Sequence, residues 1–388
     1  MEAILLVGIA VAIFVGYNIG GATTGVSFGP AVGAKVMTTA GAAVLMSICF
    51  FIGGWLVGPE VVATLGDDLV ESDVLTLDTG IVVMFFIGVS LYLGNFFGVP
   101  ASTSMTAVGS IAGLGMATGT LQWGTMGRIV SWWIVAPVIA FWVCGVIGRY
   151  WYSYINQWIA IPKRETSLWK IDRSGPIPRL TVDTGTDRRE LGGSLILIAI
   201  GCYMAFSSGA SNVANAVAPL VGSGAVTMNA GVIIACIAVA IGAFTIARKT
   251  IKTMANDVTA LPLPAAIVVM TVSATIVTAL SAIGIPVQLV IVATMAIIGL
   301  GWGRATRTVK VSDAMKGERD ARVTTGALRA DEAGEPLPAI GQEDPADLPR
   351  TADLFDPSTT ARVIVIQNVV PVIATVGAFL TFRYVPVV

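Results

Sequence analysis

Seven stretches of the chain carry no Asp, Glu, Lys, Arg or His, at roughly 3–34, 36–59, 79–127, 129–148, 191–247, 258–303 and 363–382. About 20 apolar residues span the hydrocarbon core of a bilayer, so several of these runs hold two crossings. In lipid every backbone N–H and C=O must be satisfied inside the protein, and the runs lack the alternation of barrel strands, so the crossings are expected to be helices. The expected fold is an all-α polytopic membrane protein with about ten crossings. Composition agrees, with 55% hydrophobic and 12% charged residues against about 25% charged in a soluble chain. A net charge of -1 argues against a nucleic-acid partner. The chain has no His, its four cysteines show no metal-ligand spacing, and no acid and base pair up within the runs, so neither an enzyme nor a cofactor is expected. Cys49, Cys144, Cys202 and Cys236 read as small packing residues. The first run follows Met1-Glu2 with no basic segment before it and reads as a retained helix.

The chain also repeats itself. At an offset of 189 residues, Ile9-Ala10 meets Ile198-Ala199, Gly20 meets Gly209, Pro30 meets Pro219, Thr38 meets Thr227, Ile52-Gly53 meets Ile241-Gly242 and Asp68 meets Asp257. At an offset of 186, GVPASTSMTAVGSIAGLG from residue 98 meets GIPVQLVIVATMAIIGLG from residue 284. After the second span of copy one the loop PEVVATLGDDLVESD is purely acidic, whereas its counterpart ARKTIKTMANDV carries Arg248, Lys249 and Lys252. Lys and Arg favour the cytoplasmic side, so the copies are expected to be inverted. That places both termini outside and segments 150–190 and 304–361 in the cytoplasm of a cell-membrane protein. The expected organisation is 1–149 as repeat one, 150–190 as a linker, 191–303 as repeat two, 304–361 as a largely disordered insertion and 362–388 as a C-terminal transmembrane helix.

Inverted repeats with matching helix interruptions point to secondary transport, with the site at the repeat interface near the bilayer midplane. A helix over residues 3–34 would be about 48 Å long, more than a core of about 30 Å needs. Breaks are therefore expected near Asn18 to Gly21 and, in copy two, near Ser207 to Gly209, which would turn free N–H groups toward an anion. The candidate substrate ligands are Thr23, Thr24 and Ser27; Ser102, Thr103 and Ser104; and Ser207, Ser208, Ser211 and Asn212. Hydroxyls and amides can donate to oxyanion oxygens without burying a fixed charge. Candidate cation ligands are Asn18, Asn212 and Asn215. No Asp or Glu lies deep in a span, so the coupling ion is left between sodium and a proton.

GASNVANAVAPLVGSGAVT resembles the G-A-N-D-V-A-N-A signature of the inorganic phosphate transporter family, and PASTSMT resembles its later P-x-S-T-T motif. The chain departs from that family in having Ser211-Asn212 in place of Asn-Asp, Ala22-Thr23 in copy one, and Gln288-Leu289 where copy one has Ser102-Thr103. Its motif carboxylates, which the family associates with sodium and substrate, are absent. YNIGGATTG looks more like the bacterial sulfate permeases placed within the family. The resemblance implies a homodimer in the lipid bilayer that imports a tetrahedral oxyanion by cation-coupled alternating access. Sulfate is favoured over phosphate, because hydrogen phosphate must donate a proton and sulfate has none to give. A sodium- or proton-coupled phosphate transporter is the alternative, and an anion channel the second.

Overall fold

The computed structural model describes residues 2–97, 101–158, 169–172, 179–182, 188–246, 251, 262–306 and 357–385. Arg248, Lys249, Lys252, Asp257 and most of the 304–361 insertion, from residue 307 to 356, lie outside the described residues.

Copy one forms α1 (Glu2–Gly33), α2 (Thr39–Leu56), the short α3 (Gly58–Ala63) with a π turn at Thr64–Asp68, α4 (Leu77–Phe96), α5 (Thr103–Thr118) and α6 (Trp123–Tyr150). The linker contributes α7 (Tyr152–Trp158) and an antiparallel pair, β1 (Trp169–Asp172) and β2 (Arg179–Val182), with Trp169 opposite Val182. Copy two forms α8 (Arg188–Gly222), α9 (Met228–Thr245), α10 (Leu263–Ser281) and α11 (Leu289–Thr306), and the C-terminal helix is α12 (Pro357–Tyr384). Among the described residues nine helices are long and apolar enough to cross a membrane, namely α1, α2, α4, α6 and α8 to α12. The tenth expected segment is α5, whose 16 residues reach only about 24 Å at 1.5 Å each.

The repeat is visible in local detail. Thr38 caps α2, accepting from the Gly41 amide at 3.1 Å, and its counterpart Thr227 caps α9 through Ala230. The preceding turn needs a left-handed residue in both copies, filled by Gly224 at φ 71° and by Lys35 at φ 58°.

The two copies are interlaced. The most extensive helix pairings join α6 to α11, α5 to α12, α1 to α9 and α2 to α8, each taking one helix from before the linker and one from after it. Glycines permit the approach. A Cβ at Gly20 would strike the Val239 carbonyl, and at the equivalent Gly209 it would strike the Phe50 carbonyl. A Cβ at Gly53 would strike the Phe206 carbonyl, and at the equivalent Gly242 the Tyr17 carbonyl. Such close backbone packing is how membrane helices associate when lipid removes the hydrophobic drive between them. Gly8 lies against Leu220 while Gly201 lies against Ser27 and Phe28, so the equivalent helices α1 and α8 run antiparallel.

One expectation fails. Neither α1 nor α8 breaks at Asn18–Gly21 or Ser207–Gly209; both run on, through Pro30 and Pro219 respectively. Three polar residues of α1 bond back to their own helix: Asn18 Nδ2 to the Phe14 carbonyl at 2.8 Å, Thr23 to Ile19 at 2.8 Å and Thr24 to Gly20 at 2.7 Å. The glycines there serve helix contact and leave the ladder whole. The interruptions fall elsewhere, between α4 and α5 and between α10 and α11, where Ile285–Gln288 is non-helical after a left-handed Gly284 at φ 76°.

Candidate functional site

Two helices begin beside one pocket. Ser102 caps α5, its Oγ accepting from the Met105 amide at 3.3 Å, and Gln288 precedes α11, its carbonyl accepting from the Val292 amide at 3.3 Å. The first turn of any helix has N–H groups without intrahelical acceptors, and the dipole there favours an anion. The pocket is lined by Ala101, Ser102 and Thr103 of the α5 start and by Gln288, Leu289 and Val290 of the α11 start. Ala22, Thr23 and Val26 of α1 and Asn212 of α8 close it. Both copies therefore contribute to the cavity, and among the described residues no charged side chain lines it.

Asn212 is the hub of the polar network. Its Oδ1 accepts from the Thr103 hydroxyl and from Asn215 Nδ2 at 2.9 Å, and its Nδ2 donates to Ser208 Oγ at 3.0 Å. Asn215 Nδ2 also reaches Ser104 Oγ at 3.4 Å, while its Oδ1 is buried without a hydrogen-bond partner. The non-helical segment before α11 is pinned from three helices. Trp133 of α6 donates to the Pro286 carbonyl at 2.8 Å. Ser211 of α8 accepts from the Val287 amide and donates to its carbonyl, both at 3.2 Å. Ser104 of α5 donates to the same carbonyl at 3.2 Å. This is the backbone on which Gln288 sits.

Of the ten candidate substrate ligands, the structure brings Thr23, Ser102, Thr103 and Asn212 to the pocket. Ser104, Ser208 and Ser211 stand behind it, holding Asn212, Asn215 and Val287. The other three do not line it: Thr24 bonds its own helix, Ser207 donates to the Ala274 carbonyl at 3.1 Å, and the Ser27 hydroxyl is buried without a partner. Among the cation candidates, Asn212 and Asn215 adjoin, whereas Asn18 is taken up by Asn95 of α4, whose Nδ2 donates to the Asn18 carbonyl at 2.9 Å and to its Oδ1 at 3.0 Å. Among the described residues no three His, Cys, Asp or Glu side chains group as metal ligands. The sequence reading passed over Gln288, taking it only as the loss of a motif. The signal available was a lone amide next to Pro286 at a helix start in an apolar run.

The phosphate transporter family matches residues 19–317. A sulfate permease of Bacillus subtilis is 29% identical over 300 residues, covering 77% of each chain. A putative phosphate permease of Helicobacter pylori is 30% identical over 130 residues, which is 31% of this chain and 24% of that one. A solved structure described as the sodium-dependent phosphate transporter superposes over 98% of both chains with a TM-score of 0.65 at 18% identity, a likeness of fold.

Proposed function

The chain belongs to the phosphate transporter family, and from that membership we propose a secondary active transporter that imports a tetrahedral inorganic oxyanion, with sulfate favoured over phosphate. The observation that carries the reading is the pocket's chemistry: two helix starts, hydroxyls and amides meet there, with no carboxylate among the described residues. Hydrogen phosphate has a proton to donate, for which a buried carboxylate is the natural acceptor, whereas sulfate asks only for donors. The antiparallel run of α1 and α8 supports inverted copies, and the site between them suits alternating access. The chain then sits in the cell membrane with both termini outside and segments 150–190 and 304–361 in the cytoplasm.

Import of a dianion into a negative-inside cell costs about 2.3 kcal/mol per charge per 100 mV, which calls for a coupled cation. The buried, unpartnered Oδ1 of Asn215, next to Asn212, is a neutral oxygen of the kind a sodium ion takes, so sodium is the favoured coupling ion and a proton the alternative.

Uptake of radiolabelled sulfate and phosphate into proteoliposomes, under separate sodium and proton gradients, tests the reading. Saturable sulfate uptake that resists phosphate and follows the sodium gradient is expected. Preferential phosphate uptake would overturn the substrate assignment, uptake indifferent to both gradients would overturn coupling, and non-saturating current would indicate a channel.

A further inference from the structure

Gln288 is 94% buried, by its relative exposure of 6%, and lines the pocket, yet neither its Nε2 nor its Oε1 has a hydrogen-bond partner. A buried amide with both ends idle is costly, and native proteins keep such a group mainly where something completes it. Its main chain does not float, because Pro286 and Val287 are tied to α6, α8 and α5. The other polar groups of the pocket are largely committed. The Thr23 proton goes to Ile19, the Thr103 proton goes to Asn212, and the Asn212 amide goes to Ser208. The Gln288 amide alone retains two unused N–H donors beside two helix starts.

We propose that Gln288 is a substrate-binding residue that sets selectivity: its Nε2 donates to an oxygen of the bound tetrahedral anion, and its neutral amide, a weaker acceptor than a carboxylate, gives a protonated anion less advantage over a fully deprotonated one. The proposal rests on the oxyanion-transport reading. Copy one places a serine at the equivalent helix start and spends it as the cap of α5. Copy two has released that position from capping and filled it with a longer, neutral donor. A carboxylate there would have the same shape and the opposite character, accepting from hydrogen phosphate and repelling sulfate.

The test compares wild type with Gln288→Glu, Gln288→Leu and Gln288→Ser in proteoliposomes, measuring KM and kcat for sulfate and for phosphate from pH 6 to 8. Because the side chain has no protein partner, the variants are expected to fold, checked by gel filtration and thermal midpoint. Hydrogen bonds to a charged group correspond to about 10- to 100-fold in affinity, so Gln288→Leu should raise the sulfate KM by about that factor. Gln288→Glu should lower the sulfate-to-phosphate ratio by more than about tenfold. Its sulfate uptake should then recover as pH falls, since a protonated carboxyl regains a donor. Among the described residues no Asp, Glu, Lys, Arg, Cys or Tyr lines the pocket to produce that profile in the wild type. Gln288→Ser, with one donor in place of two, should fall between wild type and Gln288→Leu. An unchanged sulfate KM, an unchanged ratio and a flat pH profile in folded variants would overturn the proposal. A wild type that prefers phosphate would overturn the sulfate reading instead, and Gln288 would still be judged by whether its variants move the ratio.

Discussion

Helices α5 and α11 hold equivalent places in the two copies and open beside the same pocket, one with Ser102 and Thr103, the other with Gln288 and Leu289. The long helices beside them differ in the same way: α1 presents Thr23 and Val26 where α8 has Asn212 and Asn215. Against this, the glycines that let α1 meet α9 and α2 meet α8 agree position for position. The framework has stayed symmetric while the lining has diverged. Two copies packed backbone to backbone need matching interfaces, but a small asymmetric polar cluster needs only one hub, and Asn212 is that hub.

The hardest way to break the symmetric half of this comparison is to add a methyl group to any one of Gly20, Gly53, Gly209 or Gly242. Each new Cβ would fall on a backbone oxygen of the opposite copy, which has no rotamer with which to retreat. Overpacking of this kind costs about 1–3 kcal/mol. Alanine at each of the four should therefore lower the thermal midpoint in detergent by similar amounts, whereas Gly124→Ala and Gly127→Ala, with nothing within 4 Å, should not. A large loss at Gly20 with none at Gly209 would show that the copies do not share this packing.

The asymmetric half is tested by a matched pair. Asn212→Ala takes the acceptor from the Thr103 hydroxyl and from Asn215 Nδ2, both buried, at about 1–3 kcal/mol for a stranded group. Uptake should fall more than about tenfold. Thr23→Ala, at the equivalent position, removes a hydroxyl bonded only to its own helix and strands nothing, so uptake should change little. Equal losses at both positions would mean that the pocket is chemically as symmetric as its frame.

These two halves were not equally legible in the sequence. Uncharged runs declare spans because lipid tolerates few other structures, and paired glycines at a fixed offset declare the duplication. What a glycine does in a membrane helix is less plain. Gly20-Gly21 reads equally well as a weak point or as a contact surface, and only the Val239 carbonyl lying on the far side decides for contact. The polar residues divide likewise. Thr103 and Asn212 stood out as polar groups in apolar runs and do meet in the pocket, but Ser27 and Ser207 stood out as much and do not line it. Facing is set by the antiparallel crossing of α1 and α8, which no local spacing reports. Gln288 escaped because it was measured against the serine it replaces, and the absence of a motif hid the presence of an amide.

The mildest test lies outside the spans, in the π turn after α3. Copy one has Asp67-Asp68 there, which the 189-residue offset aligns with Asn256-Asp257 in the sequence of copy two. Partial burial and, secondarily, the charge of Asp68 hold the Asp67 carboxyl above its ordinary value. A carboxyl whose folded pKa is raised binds its proton more readily folded than unfolded, so folding is penalised above that pKa and loses the penalty as pH falls through it. Asp67→Asn, which rewrites copy one in the manner of copy two, should raise the thermal midpoint slightly at pH 7. The gain should shrink as acid protonates the wild-type carboxyl and vanish below about pH 3.8, where folded and unfolded chains are both neutral at this position. The side chain is exposed, so solvent screening keeps the effect small. A gain that persists unchanged into acid would assign the effect of the substitution to the amide's hydrogen bonding and not to charge.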